Sequence, residues 1–281
     1  MPRLADIDLE AISIGGIETC IQLPSLDLAF DIGRCPRGAE NRPRIFLTHA
    51  HMDHAAGLAY HASLRDLLGR PAPTYYVPRE NLEDLELLLA TWRRLDRSDI
   101  PCTFVGCSPG ESVPLGSIRT VHPFRSPHRV YCQGYAIHAR KKKLRPDFVG
   151  LPDQELRRLR LEGVEIQQEH PEIEVAFCGD TTIDAVDLHA DVRQARLLIL
   201  ECTFIDLDMN PGSARARGHV HLHDIIDRAD LFKNRHILLT HFSMRYGEGK
   251  IVDTLKKTLP KPLRGRLSAL LADGRIVGPF E

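Results

Sequence analysis

The 281-residue chain balances 37 lysines and arginines against 38 aspartates and glutamates, a formal net charge of −1 with its histidines neutral. That balance excludes a protein that gathers polyanions by bulk charge, so any nucleic acid has to be held by a local patch. No apolar stretch reaches membrane length, the start is polar (Arg3, Asp6, Asp8, Glu10), and seven dispersed cysteines include no Cys-x-x-Cys pair, which argues against a membrane span or a disulfide framework and predicts a cytoplasmic protein with reduced thiols.

From the N-terminus, Ala11 to Ile14, Thr19 to Leu23 and Leu26 to Ile32, parted by Gly15-Gly16 and Pro24-Ser25, read as a β meander. The apolar run Ile45 to Leu47 reads as a buried strand that ends on Thr48-His49. A helix is then expected from just after Asp53 to near Gly69, with Tyr60, Leu64, Leu67 and Leu68 as its apolar stripe. Leu85, Leu88, Leu89 and Trp92 repeat that spacing, as do Leu222, Ile225, Ile226 and Ala229, and all three stripes are expected in the core. Tyr75 to Val77, Thr103 to Val105 and Ile118 to Val121 read as strands, and so do the apolar runs Val175 to Cys178, Leu197 to Leu200 and Ile237 to Leu239. Residues 139–165 hold the densest basic run, Arg140, Lys141, Lys142, Lys143 and Arg145, followed by Arg157, Arg158 and Arg160; broken by Pro146, Gly150 and Pro152, they read as an inserted arm. No linker or composition shift divides the chain, so 1–281 is expected to form a single α/β domain with helices on sheets that share a core.

The chemistry is concentrated in Thr48-His49-Ala50-His51-Met52-Asp53-His54. In an extended segment residues i and i+2 point the same way, so His49 and His51 can hold one cation while Asp53 and His54 turn toward a second. The bland alternative is a histidine-rich surface loop. Against it, three further buried runs stop at residues of matching chemistry: Asp180, Glu201 and Thr240-His241. Strand ends in the same or facing sheets would bring these groups to one edge, as in a two-metal hydrolase.

Further segments join that cluster: Ser13-Ile14-Gly15-Gly16, Phe30-Asp31-Ile32-Gly33-Arg34-Cys35-Pro36, Gln133-Gly134-Tyr135, Gly179-Asp180-Thr181-Thr182, Glu201-Cys202-Thr203-Phe204, Gly218-His219 and His241-Phe242-Ser243-Met244-Arg245-Tyr246. On these, nearly the whole chain resembles the transfer-RNA 3′-processing endonucleases, the tRNase Z (ribonuclease Z) branch of the metallo-β-lactamase superfamily, and in particular its short plant form. The resemblance implies an αββα sandwich with a short inserted basic arm, two zinc ions per chain, a homodimer, and precursor tRNA as substrate. It assigns His49, His51 and His128 to the first zinc, Asp53, His54 and His241 to the second, and Asp180 to both. His122 competes with His128, which is preferred for its distance to Gly134-Tyr135, and Asp31 is expected to support the metal loop. The chain departs from the family in two places: a basic segment after Ala139 replaces the long Gly- and Pro-rich arm of many bacterial members, and Val220-His221 replaces Ser-Thr.

The implied reaction removes a 3′ trailer, leaving a 3′-hydroxyl on the tRNA and a 5′-phosphate on the trailer. Asp53 would orient the nucleophile, His219 would protonate the leaving O3′, and Glu201 would fix the tautomer of His219 and raise its pKa. Arg140, Lys141, Lys142, Lys143, Arg145, Thr182, Ser243 and Arg245 are candidate RNA contacts, while His221 and His223 read as solvated or helix-capping residues. Two other classes compete. One is a related hydrolase of small phosphodiesters, thioesters or lactones, which the basic arm and the Glu201/His219 pair disfavour for the carbonyl substrates. The other is a non-catalytic, metal-bound RNA-binding protein, which the intact set of ligands and acid disfavours.

Overall fold

The computed structural model describes residues 2–206 and 208–281. A seven-stranded sheet runs in the order Phe242–Ser243, Glu10–Gly15, Glu18–Leu23, Leu28–Phe30, Arg44–Phe46, Thr74–Pro78, Thr103–Cys107, antiparallel in the meander and parallel from Leu28–Phe30 outward. An eight-stranded sheet runs Ile276–Val277, Leu267–Leu270, His236–Thr240, Leu197–Glu201, Gln167–Phe177, Cys132–Leu144, Arg119–Ser126, Val113–Leu115, with a parallel centre. Phe242 leaves the second sheet and pairs with Ile14 of the first, which stitches the two together beside His241.

Side-chain alternation decides the layering. Tyr135, Ile137, Val175, Phe177, Leu197 and Ile199 of the larger sheet meet Ile21, Leu23, Leu28, Phe30 and Phe46 of the smaller in one interior, where the Phe30 ring lies 5.2 Å from that of Phe177. The alternate residues Ala136, Ala176, Leu198, Leu200, Ile237 and Leu239 point outward and pack under the helices Leu222–Asp227 and Glu248–Thr258. On the far side Ala29, Ile45, Leu47 and Tyr75 pack under Leu58–Leu67 and Leu82–Asp96. The outcome is the αββα sandwich, each buried aliphatic or aromatic side chain contributing roughly 1.5–3 kcal/mol. The Gln-Gly-Tyr segment joins the layers next to the metal loop: the Gln133 amide donates to the Thr48 carbonyl (3.0 Å) and the Tyr135 hydroxyl to the Leu47 carbonyl (2.6 Å).

Two local expectations are corrected. The helix expected from Asp53 to Gly69 is two, Met52–Ala55 and Leu58–Leu67, and its stripe is not in the core: Tyr60, Leu67 and Leu68 are 60%, 82% and 51% exposed. The interruption at Gly57, whose amide donates to the Gly33 carbonyl (2.6 Å), resets the helical phase. Leu58, His61, Ala62 and Arg65 turn inward instead, and the buried His61 has partners in the Tyr75 hydroxyl (2.8 Å) and the Ala39 carbonyl (3.1 Å). In Leu82–Asp96 the sheet covers only Leu85 and Leu89, so Leu88 and Trp92 are 53% and 48% exposed. Residues 139–165 form an extended hairpin: Cys132–Leu144 continues antiparallel to Gln167–Phe177 as far as Leu144 opposite Gln167, and the tip carries the helix Asp153–Leu161. Among the described residues no helix is long and apolar enough to cross a membrane.

Candidate metal centre

The expected ligands meet at one end of the sandwich, where the parallel strands finish. His49 follows Arg44–Phe46, Asp180 follows Gln167–Phe177 and His241 follows His236–Thr240, while Asp53 and His54 sit in the first turn of Met52–Ala55. The ligating atoms of His49, His51, His128 and Asp180 lie within 4.8 Å of one another, and so do those of Asp53, His54 and His241. Asp180 faces both groups: Oδ2 is 3.8 Å from His49 Nε2 and 3.9 Å from His128 Nε2, and Oδ1 is 3.2 Å from His54 Nε2 and 3.4 Å from His241 Nε2. His122 stands apart on the strand Arg119–Ser126, its ring tilted against that of His138 at 4.3 Å and hydrogen-bonded to the Thr120 hydroxyl.

The hydrogen bonds behind the cluster dictate which nitrogen of each ring faces it. His54 Nδ1 donates to Asp31 (2.7 Å), His49 Nδ1 to the Thr48 hydroxyl (3.0 Å), His128 Nδ1 to the Gly218 carbonyl (2.7 Å) and His241 Nδ1 to the Thr203 hydroxyl (2.9 Å). The opposite nitrogens, Nε2 of His49, His54, His128 and His241, are buried together with Asp180 Oδ1 and have no hydrogen-bond partner among the described residues. Buried polar atoms without partners are costly. Four imidazole lone pairs and a carboxylate oxygen converging in this way fit divalent cations bound through nitrogen and oxygen. Backbone geometry is committed to the arrangement as well: Asp31 (φ 55°) and His241 (φ 60°) occupy the left-handed region, a strain that surrounding contacts must hold. Gly218 (φ 80°) has to be glycine, since a Cβ there would lie 2.7 Å from His128 Nδ1.

Charge follows the same design. Burial pushes the imidazoles of His49, His51 and His128 below their ordinary value, so they stand neutral, as ligands must. Burial opposes charge on Asp180 too, but His241 and His54 outweigh it and hold that carboxyl well below the usual range. His54 is disfavoured by burial yet lifted well above an ordinary histidine by Asp180 and Asp31 on either side of it. Two buried carboxylates flanking one ring demand positive charge, whether proton or cation. Asp53 Oδ2 accepts the Gly16 amide (3.0 Å), so the Gly-Gly turn of the meander anchors it, and lies 3.5 Å from His241 Nε2.

Beside the cluster, His219 Nδ1 donates to Glu201 Oε1 at 2.9 Å. Burial alone would lower this imidazole, but the Glu201 carboxylate prevails and raises it to about 9. The same carboxylate accepts the amides of Thr181 (2.8 Å) and Val220 (3.2 Å), so it also does the turn-capping work that its position at a strand end suggests. Thr182 donates its hydroxyl to Asp184 (2.7 Å) and its amide to the Pro127 carbonyl (2.7 Å), which holds the turn carrying His128. Ser243 accepts Arg245 Nε (3.2 Å). Arg245 and Arg217 lie over the Phe204 ring at 5.3 and 5.7 Å, and that ring is 6.1 Å from His219. Arg217, directly before the Gly-His pair, was not singled out from the sequence. His221 caps Leu222–Asp227 by accepting the His223 amide (3.1 Å). Of the basic run, Arg140, Lys142, Lys143 and Arg145 are exposed, whereas Lys141 is held by Glu172 (2.5 Å) and Glu174 (3.0 Å).

A model of the beta-lactamase superfamily domain matches residues 34–242. The chain is 41% identical over 264 residues to tRNase Z TRZ1 of Arabidopsis thaliana, covering 93% of this chain and 94% of that protein. It is 36% identical over 261 residues to the chloroplastic tRNase Z TRZ2 of the same plant, covering 92% and 74% respectively. Among solved structures, the short form of human tRNase Z has the same fold, with a TM-score of 0.59 and 17% identity over 96% of this chain and 98% of that one.

Proposed function

The chain belongs to the tRNase Z family of the beta-lactamase superfamily, and from that premise we propose that it is a zinc-dependent endoribonuclease that cuts the 3′ trailer from precursor tRNA, leaving a 3′-hydroxyl on the tRNA and a 5′-phosphate on the trailer. The observation that carries this reading is a proton donor next to a two-cation ligand set: His219 Nδ1 is 2.9 Å from Glu201 and 4.0 Å from Asp180 Oδ2. Hydrolysis of a phosphodiester with an alkoxide leaving group calls for both parts. An enzyme of small phosphodiesters built on the same centre is the competing reading.

His49, His51 and His128 would hold one zinc, Asp53, His54 and His241 the other, and Asp180 both. Bound there, the cations supply an acidified water as nucleophile and neutralise charge on the phosphoryl oxygens. Asp53, anchored by the Gly16 amide, would orient the attacking water and take its proton. Glu201 occupies Nδ1–H of His219 and so leaves Nε2–H for O3′, and its charge favours the protonated ring. Arg217 and Arg245, lying over Phe204 beside the acid, would contact RNA phosphates. Arg140, Lys142, Lys143 and Arg145 offer a second contact surface at the root of the hairpin.

We read 1–281 as one domain, since the interior core draws on both sheets. A homodimer is supported by the apolar face of the outer helices: Tyr60 and Trp92 line one cleft with Ala56, Ala59 and Ile100, and Leu87, Leu88 and Leu95 are exposed near by in sequence. A cytoplasmic location rests on the seven free thiols, five of them buried. The function is tested by incubating zinc-loaded protein with a precursor tRNA that carries a 3′ trailer, mapping both new ends, with a small phosphodiester in parallel. One cut at the trailer junction with the stated end groups is expected. Turnover of the small diester alone would favour the competing reading, and no cleavage of either would refute both.

A further inference from the structure

Glu201 stands at the end of the strand Leu197–Glu201, and besides His219 and the amides that cap it, one side-chain hydroxyl reaches it. The Thr203 hydroxyl gives its single proton to Glu201 Oε2 at 2.5 Å. Its lone pairs are then available to His241 Nδ1–H at 2.9 Å. This fixes His241 as the tautomer protonated on Nδ1 and turns the bare Nε2 toward Asp53 (3.5 Å) and Asp180 (3.4 Å). Thr203 is 5% exposed, so no bulk water replaces its hydroxyl.

The facing sheet repeats the device. Asp31 accepts His54 Nδ1–H directly (2.7 Å) and the Thr48 hydroxyl proton (2.9 Å), and the Thr48 oxygen accepts His49 Nδ1–H (3.0 Å). In both sheets a buried strand-end carboxylate holds one imidazole directly and a second through a threonine. Behind Asp31 both imidazoles face the cation cluster. Behind Glu201 the direct partner is His219 and the partner through threonine is His241. We propose that Thr203 is a positioning residue through which Glu201 sets the cation ligand His241 as well as the proton donor His219, so that one carboxylate governs both cation retention and proton donation. The proposal rests on the functional reading above.

The test uses the full-length zinc-loaded protein with Thr203→Val, Thr203→Ala and Thr203→Ser. Zinc retention is titrated against a competing chelator, the His241 Nδ1–H proton is followed by NMR, and kcat and KM are measured on precursor tRNA. Val and Ala are expected to weaken one of the two zinc sites by about 10- to 100-fold, the usual reach of a group that orients a ligand. They should also expose the His241 Nδ1–H to exchange with solvent, and lower kcat with little change in KM. Ser, which keeps the hydroxyl, should stay within about threefold of wild type on each readout. Wild-type zinc affinity in a folded Val or Ala variant would overturn the proposal, and so would a Ser variant as weak as they are, since methyl packing would then be the cause. If neither deletion folds, the wild-type spectrum decides, because a His241 Nδ1–H that exchanges freely excludes the bond. Wild-type protein that retains zinc but leaves precursor tRNA uncut would overturn the functional reading and leave the role of Thr203 standing.

Discussion

Replacing Glu201 by Gln removes the charge behind His219 while keeping the side chain's size. Glu201 foremost, with Asp180 behind it, lifts His219 from 6.5 to about 9 against the opposing effect of burial, a net difference worth about 3 kcal/mol at 1.36 kcal/mol per pH unit, of which Glu201 supplies the larger part. Zinc neutralises the Asp180 contribution to that rise and draws the value down in the loaded enzyme, so the sharp expectation concerns the difference between variant and wild type. A general acid works while protonated, and a lowered pKa moves the alkaline limb of log kcat to lower pH. The limb is expected to fall by at least about one pH unit in Glu201→Gln, with kcat at pH 8 down by on the order of 10² from lost protonation and lost orientation together. The assay is kcat against pH on precursor tRNA at saturating zinc, with zinc content measured in every sample because Glu201 also reaches His241. Superimposable limbs in two equally metallated proteins would refute the reasoning.

Removing the acid itself, His219→Ala, should keep both metals and lower the cleavage rate by about 10² to 10⁴, with a smaller loss on a substrate whose leaving group needs no proton; equal losses on both would count against the acid role. At the hairpin, Lys142→Ala with Lys143→Ala should weaken precursor-tRNA binding and reduce the slope of log affinity against log salt by up to about 2, with small-diester turnover unchanged. Lys141→Ala should add little to that slope, because Glu172 and Glu174 already hold its ammonium, and an unchanged slope in the double variant would return the run to a solvated face. Buried His61 is pushed down to about 4 by burial and by Arg65, so the unfolded chain binds more protons between about pH 4 and 6.5. Its contribution is therefore complete above about pH 6.5 and lost as pH falls toward 4, by up to about 3 kcal/mol. His61→Gln should flatten that loss in urea melts of metal-free protein at pH 7.5 and 4.5, and parallel losses in variant and wild type would exclude the assignment.

The strand ends were legible because three independent signals coincide there: a short apolar run, a polar residue with ligand chemistry, and a segment shared with a known family. Thr203 was within reach of the same reading, since i and i+2 share a face at a strand end and Thr203 follows Glu201 by two; what a sequence cannot show is that His241, 38 residues on, arrives against its hydroxyl. Tyr60, Leu67 and Leu68 misled because periodicity assumes an unbroken helix with an apolar inner face. Here Gly57 breaks the helix, and the inner face carries His61 and Arg65, whose polar groups find partners inside. The basic arm hid its strands because Arg140 to Lys143 extend beyond the sheet's apolar cover, so no apolar alternation marks them. Arg217 adjoins the Gly-His pair, but only the fold lays it on Phe204.

Anomalous scattering at the zinc edge, from crystals of the zinc-saturated protein, tests the centre most directly. Two peaks per chain are expected, one contacted by His49, His51 and His128, the other by Asp53, His54 and His241, with an oxygen of Asp180 on each. A single peak, or one contacted by His122 in place of His128, would contradict a two-zinc centre of this composition.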